Sequence, residues 1–169
     1  MSMAEHLFFT GEKGVGKSTL VGGLLALHRG SLGGFFTVKA RDVIPGETTV
    51  HLLRADLREI PCRKNLLFCC GRRGQSAAER FDRLGCAALA VPVPGLFVMD
   101  ELGPHEVQAE AFCRAVLNVL DGPVPVLGVL QRADSPLLRQ VASHPRVRMV
   151  EVPRENRDGL ARSLAGWCG

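Results

Sequence analysis

The apolar run Leu7-Phe8-Phe9 leads into Gly11-Glu12-Lys13-Gly14-Val15-Gly16-Lys17-Ser18, and Leu20, Val21, Leu24 and Leu25 follow at helical spacing. A buried strand, a glycine-rich turn and a helix in that order leave a chain few alternatives. The turn matches G-x-x-x-x-G-K-[ST] at every fixed position. Its glycines let successive backbone N–H groups curl into an anion nest, and the helix that follows aims its partial positive end at the same point. The pattern predicts that Gly11, Glu12, Lys13, Gly14, Val15, Gly16, Lys17, Ser18 and Thr19 hold the phosphates of a nucleotide, Glu12 and Lys13 through their backbone. Lys17 is placed to neutralise charge on the β- and γ-phosphates, and the Ser18 hydroxyl to ligand Mg²⁺.

Beyond the first helix the punctuation changes. Gly30 and Gly33-Gly34 read as its end. Phe35–Val38, Thr48–Leu53 and Asn65–Cys69 are β-like and joined by Pro45-Gly46 and Pro61, so an antiparallel β insertion over 34–70 is expected at one edge of the sheet. One helix is expected over Ser76–Leu89, with Ser76 and Glu79 as a capping box. Leu96–Met99, Val124–Leu130 and Val147–Val152 read as strands, and helices are expected to Leu120, from Ser135-Pro136, and over Glu155–Trp167. Strands free of charge alternating with helices indicate an α/β fold with a mostly parallel sheet covered on both faces. At 169 residues the chain reads as a single domain.

Asp100-Glu101 closes the strand Leu96–Met99, at the end where parallel α/β folds gather ligand-contacting groups. Asp100 is expected to share the metal with Ser18, and Glu101 to act as general base toward an attacking water, with Lys17 as its catalytic partner.

These motifs in their order resemble the THEP1-type nucleoside-triphosphatases, small P-loop proteins. The resemblance covers most of the chain. It rests on Phe9-Thr10-Gly11 running into the loop, Gly34-Phe35-Phe36-Thr37, Phe81-Asp82, Asp100-Glu101-Leu102-Gly103 followed by Glu106, and Glu155-Asn156-Arg157. It implies a three-layer P-loop fold with a RecA/AAA-like core and Mg²⁺-dependent hydrolysis of ATP, GTP and other nucleoside triphosphates. It also implies that Asn156 and Arg157 lie near the nucleotide. Two positions depart from the family's habit. Pro104 stands where a lysine is frequent, and Val129 where a polar residue is, which leaves Gln131 as a substitute. Arg72, Arg73, Arg132, Arg154 and Arg157 are the candidates for an arginine finger.

Charge and composition narrow the partners. A net charge of +4 suits an anionic ligand, but the chain lacks Tyr and any interleaving of basic and aromatic residues, so specific nucleic-acid binding is not expected. No run of about 18 apolar residues predicts a membrane span, and Met1–His6 carries no basic leader, which points to the cytoplasm. The six cysteines form no C-x-x-C pair and read as reduced core residues; the five histidines form no metal-ligand spacing and read as structural or surface groups. A monomer is expected, and no protein partner is indicated. Two rival readings stay open: a small-molecule or nucleotide kinase whose acceptor pocket comes from segment 34–70, and a slow nucleotide-dependent switch.

Overall fold

A computed structural model of the chain describes residues 5–71, 76–155 and 157–167. Arg72, Arg73 and Asn156 of the sequence reading lie outside the described residues, as do Cys168, one of the six cysteines, and the Ser76 side chain of the expected capping box. β1 (His6–Thr10) leads to α1 (Lys17–Leu25). β2 (Leu32–Arg41), β3 (Thr48–Arg54) and β4 (Leu66–Cys69) come next. α2 (Ser76–Arg80) and α3 (Cys86–Leu89) flank a π-helical turn, Phe81–Gly85. β5 (Leu96–Leu102), α4 (Glu110–Asp121), β6 (Val126–Leu130), α5 (Pro136–Ala142), β7 (Val147–Glu151) and α6 (Arg157–Leu164) then alternate.

The strands form one seven-stranded sheet in the order β4-β3-β2-β5-β6-β1-β7. Alternation along β1 sets the layers: Leu7 and Phe9 enter one apolar cluster with Leu20, Val21 and Leu24 of α1 and Leu164 of α6. Phe8 enters the other, with Phe112, Val116 and Leu120 of α4 and Leu137, Leu138 and Val141 of α5. Helices therefore cover both faces, the three-layer α/β fold expected of a P-loop protein. The five strands β2, β5, β6, β1 and β7 pair in parallel, and β2, β3 and β4 pair antiparallel at one edge.

Several local caps agree with their chemistry. Ser135 Oγ accepts the Leu138 N–H at 3.3 Å, with Pro136 in the first turn of α5. Asp82 Oδ1 accepts the Phe112 N–H at 2.8 Å and so caps α4 from another element. His6, wholly buried, bridges the Leu120 carbonyl and the Val126 N–H, and burial lowers its pKa.

Three expectations need correction. Gly33 and Gly34 do not end a helix; they lie inside β2. Gly34 has φ +90°, and a Cβ there would run into the backbone of Val98, so the glycine permits the close β2–β5 approach. β2 consequently belongs to both parts of the sheet, its Leu32–Phe36 half pairing with β5 and its Phe35–Arg41 half with β3. The helix expected over Ser76–Leu89 is interrupted by the π turn, where Gly85 packs against the ring of Phe112. The five described cysteines sit at the margin of the core, half-buried rather than inside it.

Candidate functional site

The topology decides what faces the glycine loop. β6 lies between β1 and β5, so the loop after β1 and the acidic end of β5 are two strand spacings apart, about 10 Å. The first turn of α1 crosses that gap: Ser18 Oγ donates to Asp100 Oδ1 at 3.0 Å. Lys17 Nζ turns back over the loop and donates to the carbonyls of Gly11 at 2.8 Å and Glu12 at 3.0 Å. Gly14 and Gly16 have φ of +81° and +98°. The left-handed Gly16 forms the N-cap of α1, and a Cβ there would collide with the guanidinium of Arg157. Arg157 thus lies across the loop from α6, which packs on α1. Lys13, Ser18 and Thr19 are exposed, and Val15 is half-buried against the β1 face.

Asp100 is only 6% exposed, and burial pushes its carboxyl up to about 6, opposed by the bond from Ser18. Glu101 behaves differently because the pairing with β6 slips at this point: Asp100 pairs with Val129 and Leu102 with Leu130. Glu101 is left outside the ladder, the geometry of a bulge, which re-aims a side chain. Its carboxylate lines a cleft of about 560 Å³ together with Lys17, Gly11 and Thr37. Gln131 Nε2 donates to Glu101 Oε1 at 2.6 Å. Thr37 Oγ1 accepts the Glu101 N–H at 3.2 Å and faces the Asp100 carbonyl at 3.4 Å. One side chain from β2 and one from the end of β6 thereby hold the same glutamate.

Val129 is fully buried in the core, so the polar group at the end of β6 is Gln131. Of the arginine candidates, Arg154 donates through Nε to Glu12 Oε2 at 2.7 Å, and Arg132 pairs with Glu151. Arg154 therefore touches the loop through the Glu12 side chain, and Arg157 lies against Gly16. A second cleft, about 650 Å³, opens on the β7 side and is lined by Val15, Arg154, Pro153, Gly159 and Leu160.

A family model described as NTPase matches residues 6–165. The chain belongs to this NTPase family. The nucleoside-triphosphatase THEP1 of Thermofilum pendens is 31% identical, over 96% of this chain and 94% of that one. The cancer-related nucleoside-triphosphatase of Homo sapiens is 29% identical, over 94% of this chain and 93% of its own length. The crystal structure of THEP1 from Aquifex aeolicus superposes with a TM-score of 0.67 at 21% identity, covering 94% of this chain and 96% of the other. The solution structure of the human protein gives 0.65 at 22%, covering 96% of each. Both carry the same fold.

Within this NTPase-family site, the donors that meet at the loop suit a hard cation. Ser18 Oγ and Asp100 Oδ1 are oxygen ligands in contact, and a buried carboxylate gains from a neighbouring positive charge. Among the described residues, no three His, Cys, Asp or Glu side chains gather as a metal cage. Mg²⁺ held by one carboxylate, one hydroxyl and substrate phosphates needs no such cage.

Sequence reasoning gave no role to several residues the fold brings here. Glu106 is 4% exposed, its Oε2 accepts the Gly103 N–H at 3.0 Å, and burial pushes its carboxyl up to about 8. His105, read as a surface or structural group, lines the first cleft beside Phe68, ring centroids 5.8 Å apart. Thr37 and Glu106 were visible only as parts of motifs. His105 and Glu106 lie within five positions of Glu101 in sequence, whereas Thr37 reaches it only through the sheet.

Proposed function

We propose that the chain is a Mg²⁺-dependent nucleoside-triphosphatase that hydrolyses ATP, GTP and other nucleoside triphosphates to the diphosphate and phosphate. One observation carries the reading. Glu101, set outside the strand ladder and clamped by Gln131 at 2.6 Å, faces the cleft whose opposite lip is the Lys17 loop.

The backbone N–H groups of Gly11 to Ser18 bind the phosphates, and Lys17 exchanges its two carbonyl partners for phosphate oxygens. Ser18 and Asp100 would hold Mg²⁺, which supplies neutralisation of charge on the phosphates when bound. Glu101 accepts a proton from water as its oxygen bonds to the γ-phosphorus, and the bond to the bridging oxygen breaks with its electron pair on the diphosphate. Arg157, lying over Gly16, adds positive charge at the loop. Asn156, its neighbour in the E-N-R motif, is assigned to the nucleotide on the resemblance alone. The nucleoside end is assigned to the cleft on the β7 side.

The test is phosphate release from ATP, GTP, CTP and UTP with and without Mg²⁺, beside Glu101→Gln. Release from several triphosphates is expected, lost on chelation. The Glu101→Gln variant should bind nucleotide as before and turn over about 100- to 10,000-fold more slowly, the usual worth of a positioned general base. Undiminished turnover in that variant would remove Glu101 from the mechanism.

A further inference from the structure

Hydrolysis at this site brings negative charges together. The attacking water lies between the Glu101 carboxylate and the γ-phosphate, and like charges a few ångströms apart in a cleft partly closed to water repel one another. A cation on the Glu101 side of the γ-phosphate offsets that repulsion. Among the described residues, four lysines and arginines line the cleft: Lys13, Lys17, Lys39 and Arg132. Lys13 and Lys17 belong to the phosphate loop, and Arg132 is paired with Glu151. Lys39 comes from β2, three strands away from β1 and next to the strand that carries Glu101.

Register puts Lys39 on the Glu101 side of β2. Thr37 pairs with Leu52 of β3, and Lys39 with Val50. Leu52 belongs to the apolar cluster of Phe8 and Phe112, and Val50 packs against that cluster. Cross-strand partners share a face of the sheet, so Thr37 and Lys39 project from the same one. Thr37 already touches Glu101, its Oγ1 accepting the Glu101 N–H at 3.2 Å. Lys39 stands two residues further on, about 7 Å along the strand. The pairing of β2 with β5 stops at Phe36 and Asp100, so this part of β2 runs on beyond the acidic end of β5. Lys39 thus starts past Glu101, with Val50 beside its stem, and lines the same cleft as Glu101 and Lys17. It is exposed, and a flexible four-carbon stem lets its ammonium follow a ligand into place.

We propose that Lys39 is a catalytic residue of the hydrolysis and contacts an oxygen of the γ-phosphoryl group from the Glu101 side. The inference rests on Glu101 being the base of the hydrolytic reaction. The water oxygen bonds to the γ-phosphorus as its proton passes to the Glu101 carboxylate. The bond from phosphorus to the β–γ bridging oxygen breaks, and its electron pair stays on the nucleoside diphosphate. Lys39 gives up no proton in this step. Its ammonium donates a hydrogen bond to a γ-oxygen and offsets the charge that gathers there as the group transfers. Lys17 serves the β–γ side from the loop, so two lysines hold the γ-phosphoryl group between them. An arginine finger supplies the same charge in other phosphoryl-transfer sites.

The experiment compares the wild type with Lys39→Met, which drops the charge and keeps an unbranched stem, and with Lys39→Arg. Phosphate release from ATP with Mg²⁺ gives kcat and KM. Calorimetry gives the affinity for ADP, and for ADP with aluminium fluoride, a mimic of the transferring phosphoryl group. In Lys39→Met kcat should fall about 100-fold or more, the usual worth of one donor aimed at the transition state, with KM little moved. ADP should bind as to the wild type, and the aluminium fluoride complex should bind weaker by a similar factor. Lys39→Arg should recover most of both losses. A solvated surface lysine would move none of these readouts. Undiminished kcat in Lys39→Met overturns the proposal and leaves the hydrolase standing. A rise in KM alone, or a loss of kcat with the aluminium fluoride complex held as tightly as before, overturns it too. If the wild type releases no phosphate, the hydrolytic reading fails and the role of Lys39 with it.

Discussion

Glu106 offers a test in which the structure sets both the sign and the size. Its carboxyl is 4% exposed, and burial raises it from 4.5 to about 8. In the unfolded chain it ionises near its ordinary value. Between those two values the folded state therefore holds a proton that the unfolded state has released. Stability falls as pH rises wherever the folded state binds more protons. Each unit of that interval costs at most about 1.4 kcal/mol, so raising the pH from 5 to 8 removes up to roughly 4 kcal/mol. Glu106→Gln keeps an oxygen to accept the Gly103 N–H and cannot ionise. The difference between variant and wild type should thus be small at pH 5 and grow steadily in the variant's favour toward pH 8. For a chain of this size the gap in Tm reaches on the order of 10 °C. Asp100 is raised and His6 lowered in both proteins, so their titrations cancel in the difference. Thermal unfolding of the two proteins from pH 5 to pH 9 reads it directly. A Tm gap that does not change with pH would refute the reasoning.

Two further perturbations probe the frame around Glu101. Gln131→Ala removes a charge-assisted bond of 2.6 Å. Such a bond contributes about 1.5–3 kcal/mol, so steady-state hydrolysis should show kcat lowered about 10- to 100-fold with KM little moved; a change in KM alone would mean that Gln131 binds substrate instead. Gly34→Ala puts a methyl group into the Val98 backbone at φ +90°. The left-handed conformation alone costs about 1–2 kcal/mol and the collision adds to it, so Tm should fall by roughly 6 °C or more; a drop within about 2 °C would show that β2 can shift away from β5 without loss.

Much of the phosphate site was legible in the chain because its physics is local. Gly11 to Ser18 are consecutive, and a glycine turn between a strand and a helix has one arrangement in which its N–H groups converge. Ser135-Pro136 likewise specifies a helix start from neighbouring atoms. Asp100-Glu101 could be assigned to a strand end because an apolar run halts there. The resemblance to the THEP1-type family added the order of the motifs and implied a place for Arg157 at the phosphate loop, where the structure lays it against Gly16.

What the sequence alone determined, then, was the set of contacts made by residues a few positions apart: the phosphate loop, the caps and the apolar strands that call for covering helices. The tertiary structure decided everything that depends on strand order and register. Glu101 reaches the cleft because β5 slips against β6, and it is held by Thr37 and Gln131, which lie 64 and 30 residues away. Gly33-Gly34 signals a stop on the usual propensities, yet it continues β2, because its value lies in the neighbour it admits and that neighbour is in β5. The burial of Glu106 and the meeting of Phe68, Phe81 and His105 follow from packing β4 and the π turn against the short 3-10 turn Pro104–Gln108 after β5. Local propensity acts within a few residues, whereas burial and desolvation are properties of the whole fold, and it is these that tune the carboxylates of this site.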